Sequence, residues 1–161
     1  MHTVGASVSV LGQDAAVPSV DLVDETFVVA HRDRVAAIVA DPQRWQQWWP
    51  DLLLTVFMDR GPAGIRWSIT GALVGSCEIW LEAVGDGVLI HYYLRADQPS
   101  SADPRVAAAP PANPADWRRA ARLRAQRATS WKSHVWALKD ELEAGRVIGS
   151  GTSIADRAGL G

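Results

Sequence analysis

The side chains in this sequence best suited to chemistry fall in two places. His91 and Tyr93 are two residues apart, so on a strand they share one face, where an imidazole and a phenol can exchange protons with a bound molecule. Arg124, Arg127 and His134 lie in a long helical stretch. On a wheel of 100° per residue with Trp131 at zero they fall at about 20°, −40° and −60°, beside the apolar stripe. A guanidinium placed there would pair with a carboxylate or polarise a carbonyl, and His134 would act as proton donor or acceptor near neutral pH. The same residues also suit a solvated rim, because arginine stems lie along apolar surface while their heads stay in water. His91 and Tyr93 alternate with Val88, Ile90, Tyr92 and Leu94, which assigns the polar pair to the outer face of its strand.

Other chemistries lack their signatures. No Cys or His pair has metal-ligand spacing, no Gly-rich phosphate loop or nucleophile elbow is present, and no metal or cofactor is expected. Cys77 is the one cysteine and alternates with polar neighbours as a small core residue would. Arg118, Arg119, Arg122, Arg124 and Arg127 crowd one stretch, which raises an RNA or acidic-partner reading. The net charge of −2 and the missing nucleic-acid motif argue against nucleic acid as partner.

The elements that must position these groups follow from pattern. Residues 1–20 lack periodicity and read as a loosely ordered leader, with structure starting near Val23. Thr26 to Val29 is rich in strand formers and makes a first strand over Glu25 to Ala30. Val35, Ile38 and Val39 mark a short helix. Asp41 and Pro42 start a second, which carries Trp45, Trp48 and Trp49 at i, i+3, i+4 and ends at Pro50. These three indoles are read as a plug for one end of the core.

Four more strands follow, at Asp51 to Met58, Ile65 to Thr70, Leu73 to Val84 and Val88 to Arg95, joined by tight Gly-containing turns that imply antiparallel neighbours. Residues 96–113 form a flexible Ala/Pro-rich connector. Asn113, Pro114 and Asp116 open a long helix to about Ala144, stopped by Gly145. Its stripe is Trp117, Ala121, Ala128, Trp131, Val135, Leu138 and Leu142, and residues 146–161 form a disordered tail. At 161 residues, 48% apolar and 21% charged, the chain matches one domain over 21–145 with a sizeable core. Fourteen of the sixteen basic residues are arginine, a bias of GC-rich coding that points to a bacterial source. No secretion signal or membrane span is present, so a cytoplasmic protein is expected.

The order of strand, two short helices, antiparallel meander and one long C-terminal helix resembles the Bet v 1-like or START-like superfamily (SRPBCC), especially its bacterial polyketide cyclase/dehydrase and lipid-transport branch. The stretches that carry the resemblance are Asp41-Pro42-Gln43-Arg44-Trp45-Gln46-Gln47-Trp48-Trp49-Pro50 and Trp136-Ala137-Leu138-Lys139-Asp140-Glu141-Leu142-Glu143. It implies an α+β helix-grip fold, a curved antiparallel sheet of five to seven strands wrapped around the C-terminal helix. It also implies an apolar ligand, such as a lipid, sterol or polyketide, held between sheet and helix. Such a pocket would be bounded by Trp67, Ile79, Leu81, Ile90, Tyr92, Trp131 and Val135, with Arg124, Arg127 and His134 at its edge. The expected function is binding or transport of that ligand by a monomer or homodimer. One alternative is an aromatase/cyclase or dehydratase using His134, Arg124, Tyr93 or His91. Another is a protein-interaction module using the basic start of the helix and Trp117.

Overall fold

Alternating apolar residues and short Gly turns produce one antiparallel sheet, and a single long amphipathic segment produces the helix that packs into it. The computed structural model describes residues 17–149. In chain order these form β1 (Val20–Val28), α1 (Arg32–Val39), α2 (Pro42–Trp48), β2 (Leu52–Asp59), a 3-10 turn (Gly61–Ala63), β3 (Gly64–Gly71), β4 (Val74–Val84), β5 (Gly87–Asp97) and α3 (Pro114–Gly149). Among the described residues the sheet has five strands in the order β1-β5-β4-β3-β2, every neighbouring pair antiparallel.

The helix caps follow their local chemistry. Asp41 Oδ1 accepts from the Gln43 amide at 2.9 Å and Pro42 fills the first position of α2. Asn113 Oδ1 accepts from the Asp116 amide at 2.9 Å at the start of α3. The α1 cap is His31, whose Nδ1 accepts from the Asp33 amide, a role the sequence reading had not assigned. Gly75, in β4 at φ +157°, leaves no room for a side chain, since a Cβ there would lie 2.2 Å from the Arg95 carbonyl oxygen.

Three expectations change. β1 begins at Val20, not Glu25, because its register with β5 extends back to Val20 opposite Ala96. The helix does not stop at Gly145 and runs to Gly149. Trp117 is 55% exposed and Ala121 is also exposed, so the first turns of the stripe are unburied, while Ala120 is buried in their place. The reason is length. At 1.5 Å per residue the 36 residues of α3 span about 54 Å, whereas strands of 8 to 11 residues at about 3.3 Å span roughly 26 to 36 Å, so the helix overhangs the sheet. The expected leader falls mostly outside the described residues, as does the tail from 150. Of residues 96–113, Ala96 and Asp97 belong to β5, and the rest is irregular, with a turn at 104–105 and one bridge, Pro99 to Ala107.

α3 is stitched along β1. Arg124 Nε donates to the Asp21 carbonyl (2.8 Å), Lys139 Nζ donates to the Phe27 carbonyl (2.7 Å), and Glu143 Oε1 accepts from the Val29 amide (3.1 Å). These side chains occupy backbone groups along the edge of the sheet that strand pairing leaves open. Below them Trp131, Val135, Leu138 and Leu142 are buried in the core. Leu142 is fully buried, and Leu142→Ala is expected to cost about 2–5 kcal/mol of unfolding free energy, read from the urea midpoint at unchanged slope.

Candidate functional site

The concave side of the sheet faces α3 and α2, and aromatic rings fill the space between. Tyr92 stacks on Trp131 with ring centroids 4.1 Å apart, and Trp49 lies at 5.9 Å from each, nearly parallel to both. Trp48 meets Trp131 edge-on at 5.9 Å, and Trp67 meets Trp45 and Trp49 edge-on at 5.2 and 5.5 Å. Such offset and edge-on contacts are the favoured geometries of aromatic pairs. Two indoles are anchored by hydrogen bonds, Trp45 Nε1 to the Val39 carbonyl (2.7 Å) and Trp131 Nε1 to Asp24 Oδ2 (3.2 Å). Burial pushes the Tyr92 phenol and the Cys77 thiol well above their ordinary pKa values, so neither ionises here.

The residues expected to line a cavity are thus brought together, but against one another. Trp67, Ile79, Leu81, Ile90, Tyr92, Trp131 and Val135 each expose 2% or less of their surface. All of them belong to one buried core cluster. The Trp67 indole N–H is buried and, among the described residues, has no hydrogen-bond partner. Leaving such a donor unsatisfied costs about 1–3 kcal/mol.

An opening lies beside this cluster. A groove of about 650 Å³ runs between α2 and the edge strand β2, lined by Trp45, Gln46, Trp49, Leu52 and Leu54. α2 and the segment that follows it are each tied to α3 by an ion pair. Arg44 Nη2 pairs with Glu141 Oε1 at 2.6 Å, and Arg127 forms a two-bonded fork to Asp51 at 2.8 and 2.6 Å. Those arginines hold the Glu141 and Asp51 carboxyls below the usual carboxylate range. Sequence reasoning placed Trp45 and Trp49 in a plug and missed the groove. Its available signal was β2, where Leu52, Leu53, Leu54, Val56, Phe57 and Met58 put apolar groups on both faces.

The four candidate catalytic residues do not converge. His91 and Tyr93 lie on the outer face of β5, away from α3, as alternation required. His91 is nevertheless buried there, with Nδ1 3.1 Å from Glu25 Oε1, Nε2 2.9 Å from Glu82 Oε2, and Trp80 stacked on its ring. Arg124 is exposed and engaged with the β1 backbone. His134 is half-buried on α3, seven residues from both Arg127 and Glu141, which places it on the side that meets α2. Desolvation lowers its pKa from the ordinary 6.5. Because the unfolded chain then binds the His134 proton more readily, stability falls as pH drops through 6.5 toward the folded value. The urea midpoint of His134→Gln is expected to decline less than that of the parent over this window, and equal declines would refute the assignment.

No protein family and no curated protein matches the sequence. Solved structures do share its architecture. The Aha1 dimer from Colwellia psychrerythraea aligns at 14% identity and TM-score 0.51, over 78% of this chain and 98% of that one. DR_A0006 from Deinococcus radiodurans aligns at 12% identity and TM-score 0.52 over the same shares. DynU16, from the dynemicin biosynthetic locus, aligns at 19% identity and TM-score 0.50, over 80% of this chain and 49% of that one. No helix among the described residues is long and apolar enough to cross a membrane. With its five described strands in one antiparallel sheet closed on one long C-terminal helix, the chain has an α+β helix-grip fold, the architecture it shares with these solved structures.

Proposed function

We propose that the protein binds an apolar small molecule that enters by the groove between α2 and β2 and reaches the aromatic cluster behind it. The observation that carries this reading is the pairing of an apolar mouth, lined by Trp45, Trp49, Leu52 and Leu54, with the unsatisfied Trp67 indole N–H in contact with two of those rings. A buried donor without an acceptor is a position where a ligand oxygen gains a hydrogen bond at no loss to the protein. The suited ligand is therefore a flat or chain-like hydrocarbon body bearing one carbonyl or hydroxyl oxygen, a description that includes polyketide-like molecules.

Binding without turnover is the reading favoured. His91 and Tyr93 face away from the groove, Arg124 and Arg127 are held by Asp21 and Asp51, and among the described residues no set of acid and base converges on the cluster. Admission of a ligand requires Trp49 to move. Its backbone, at φ −137° and ψ 66°, has already left the helix, and Pro50 follows it, so the ring hangs from the end of α2 and not from its middle.

Titration with the uncharged fluorophore 2-acetylanthracene tests this. Saturable binding at micromolar concentration is expected, weakened about tenfold by Leu54→Ala and unaffected by Arg66→Gln on the opposite face. 2-Ethylanthracene, which lacks the oxygen, is expected to bind about fivefold more weakly, and Trp67→Phe should erase that difference. Absence of saturable binding for both compounds would sink the proposal. A ketone preference that survives in Trp67→Phe would remove the role of the indole.

A further inference from the structure

The outer face of the sheet, away from α3, carries a second set of convergent groups that the interior site does not use. A concavity of about 350 Å³ is bounded there by Arg60, Arg66, Glu78, Trp80, Tyr93 and Arg95. Strand register orders them. Arg66 lies opposite Glu78, and Glu78 opposite Tyr93, so one row crosses three strands and spans two strand spacings, about 10 Å. Trp80 opposite His91, and Ser76 opposite Arg95, form the rows on either side.

This surface is built before any ligand arrives. His91 is fixed between Glu25 and Glu82, and its ring supports Trp80 at 4.3 Å and 18°, and Tyr93 at 6.4 Å and 7°. The three rings therefore stand as a rigid ladder on the sheet. Trp80 keeps 37% of its surface open. Glu78, the acidic residue of the concavity, is neutralised by its ion pair with Arg60. The remaining polar capacity is unspent. The Arg66 guanidinium rests on the Phe57 ring at 5.4 Å, and among the described residues it has no carboxylate partner. Arg95 has only a 3.8 Å approach to Asp21, and the Tyr93 hydroxyl has no hydrogen-bond partner among the described residues.

The geometry points to a binding site for a planar aromatic carboxylate on this outer face, with the ring against Trp80 and the oxyanion taken by Arg66, Arg95 and the Tyr93 hydroxyl. A fork of N–H donors matches two carboxylate oxygens, and an indole face offers stacking area to an aromatic ring. A free inorganic anion would gain only the first of these contacts. The site is independent of the groove between α2 and β2, because its residues lie on the other side of the sheet.

The test is calorimetric titration with 2-naphthoate, its neutral analogue 2-naphthalenemethanol, and inorganic phosphate. Saturation by 2-naphthoate below about 1 mM is expected, with both other compounds at least tenfold weaker and the affinity falling as salt is raised. Arg66→Gln and Arg95→Gln, both at positions outside the buried core, are each expected to weaken 2-naphthoate about tenfold while leaving thermal stability and 2-acetylanthracene binding unchanged. Equal binding of 2-naphthoate and the alcohol overturns the proposal. So does 2-naphthoate binding that Leu54→Ala removes and Arg66→Gln does not, which would place the compound in the groove, and so does failure to saturate.

Discussion

A curved sheet closed on one helix encloses a concave volume, and an apolar void there would forfeit contacts on every surrounding side chain. Among the described residues five strands and the rings of Trp45, Trp48, Trp49, Trp67, Trp131 and Tyr92 meet that demand together. The aromatic cluster depends on α2 being held in place, since three of its rings come from that seven-residue helix or its C-cap. Too short to be stable alone, α2 is tied to α3 by Arg44–Glu141, and the chain just after its C-cap is tied by Arg127–Asp51. The charged pairs at the rim and the packed rings inside are thus parts of one arrangement. Fixing the helix by ion pairs leaves its apolar C-cap free to serve as the movable wall of the groove.

The two edges of the sheet are treated differently, and this asymmetry sets where the protein can receive a partner molecule. β1 is covered by α3, whose Arg124, Lys139 and Glu143 occupy its backbone groups. Among the described residues β2 has no such cover, and Leu53, Val56, Phe57 and Met58 are each more than 40% exposed. Edge strands that lack cover are the places where a sheet accepts contacts. The groove opens on that side, and the Phe57–Arg66 contact on the outer face adjoins it. The groove thus draws on the open edge of the sheet, while the outer-face site runs from β3 across β4 to β5.

How much of this was legible beforehand differs by residue. Alternation along β5 correctly separated Ile90, Tyr92 and Leu94 from His91, Tyr93 and Arg95, because side-chain direction on a strand follows directly from position. It did not show that His91 would be buried on the outer face. That burial comes from Trp80 on the neighbouring strand and from Glu25 and Glu82, which are far away in sequence and meet His91 only through register. The helical wheel put Arg124, Arg127 and His134 near the sheet, but their partners, the Asp21 carbonyl and the Asp51 carboxylate, are set by tertiary packing.

The sequence by itself determined the order and kind of the main elements, the caps at Asp41 and Asn113, the inner faces of β4 and β5 and the buried part of the α3 stripe from Trp131 to Leu142, since these depend on local periodicity and on chemistry within a few residues. Only the tertiary structure decided that the expected ligand-lining residues pack together in the core, that the Trp67 indole lacks an acceptor among the described residues, and that one concavity lies beside α2 and another on the outer face. Whether space remains between elements depends on how side chains distant along the chain fit together, and periodicity in one segment carries no information about the volume left by another.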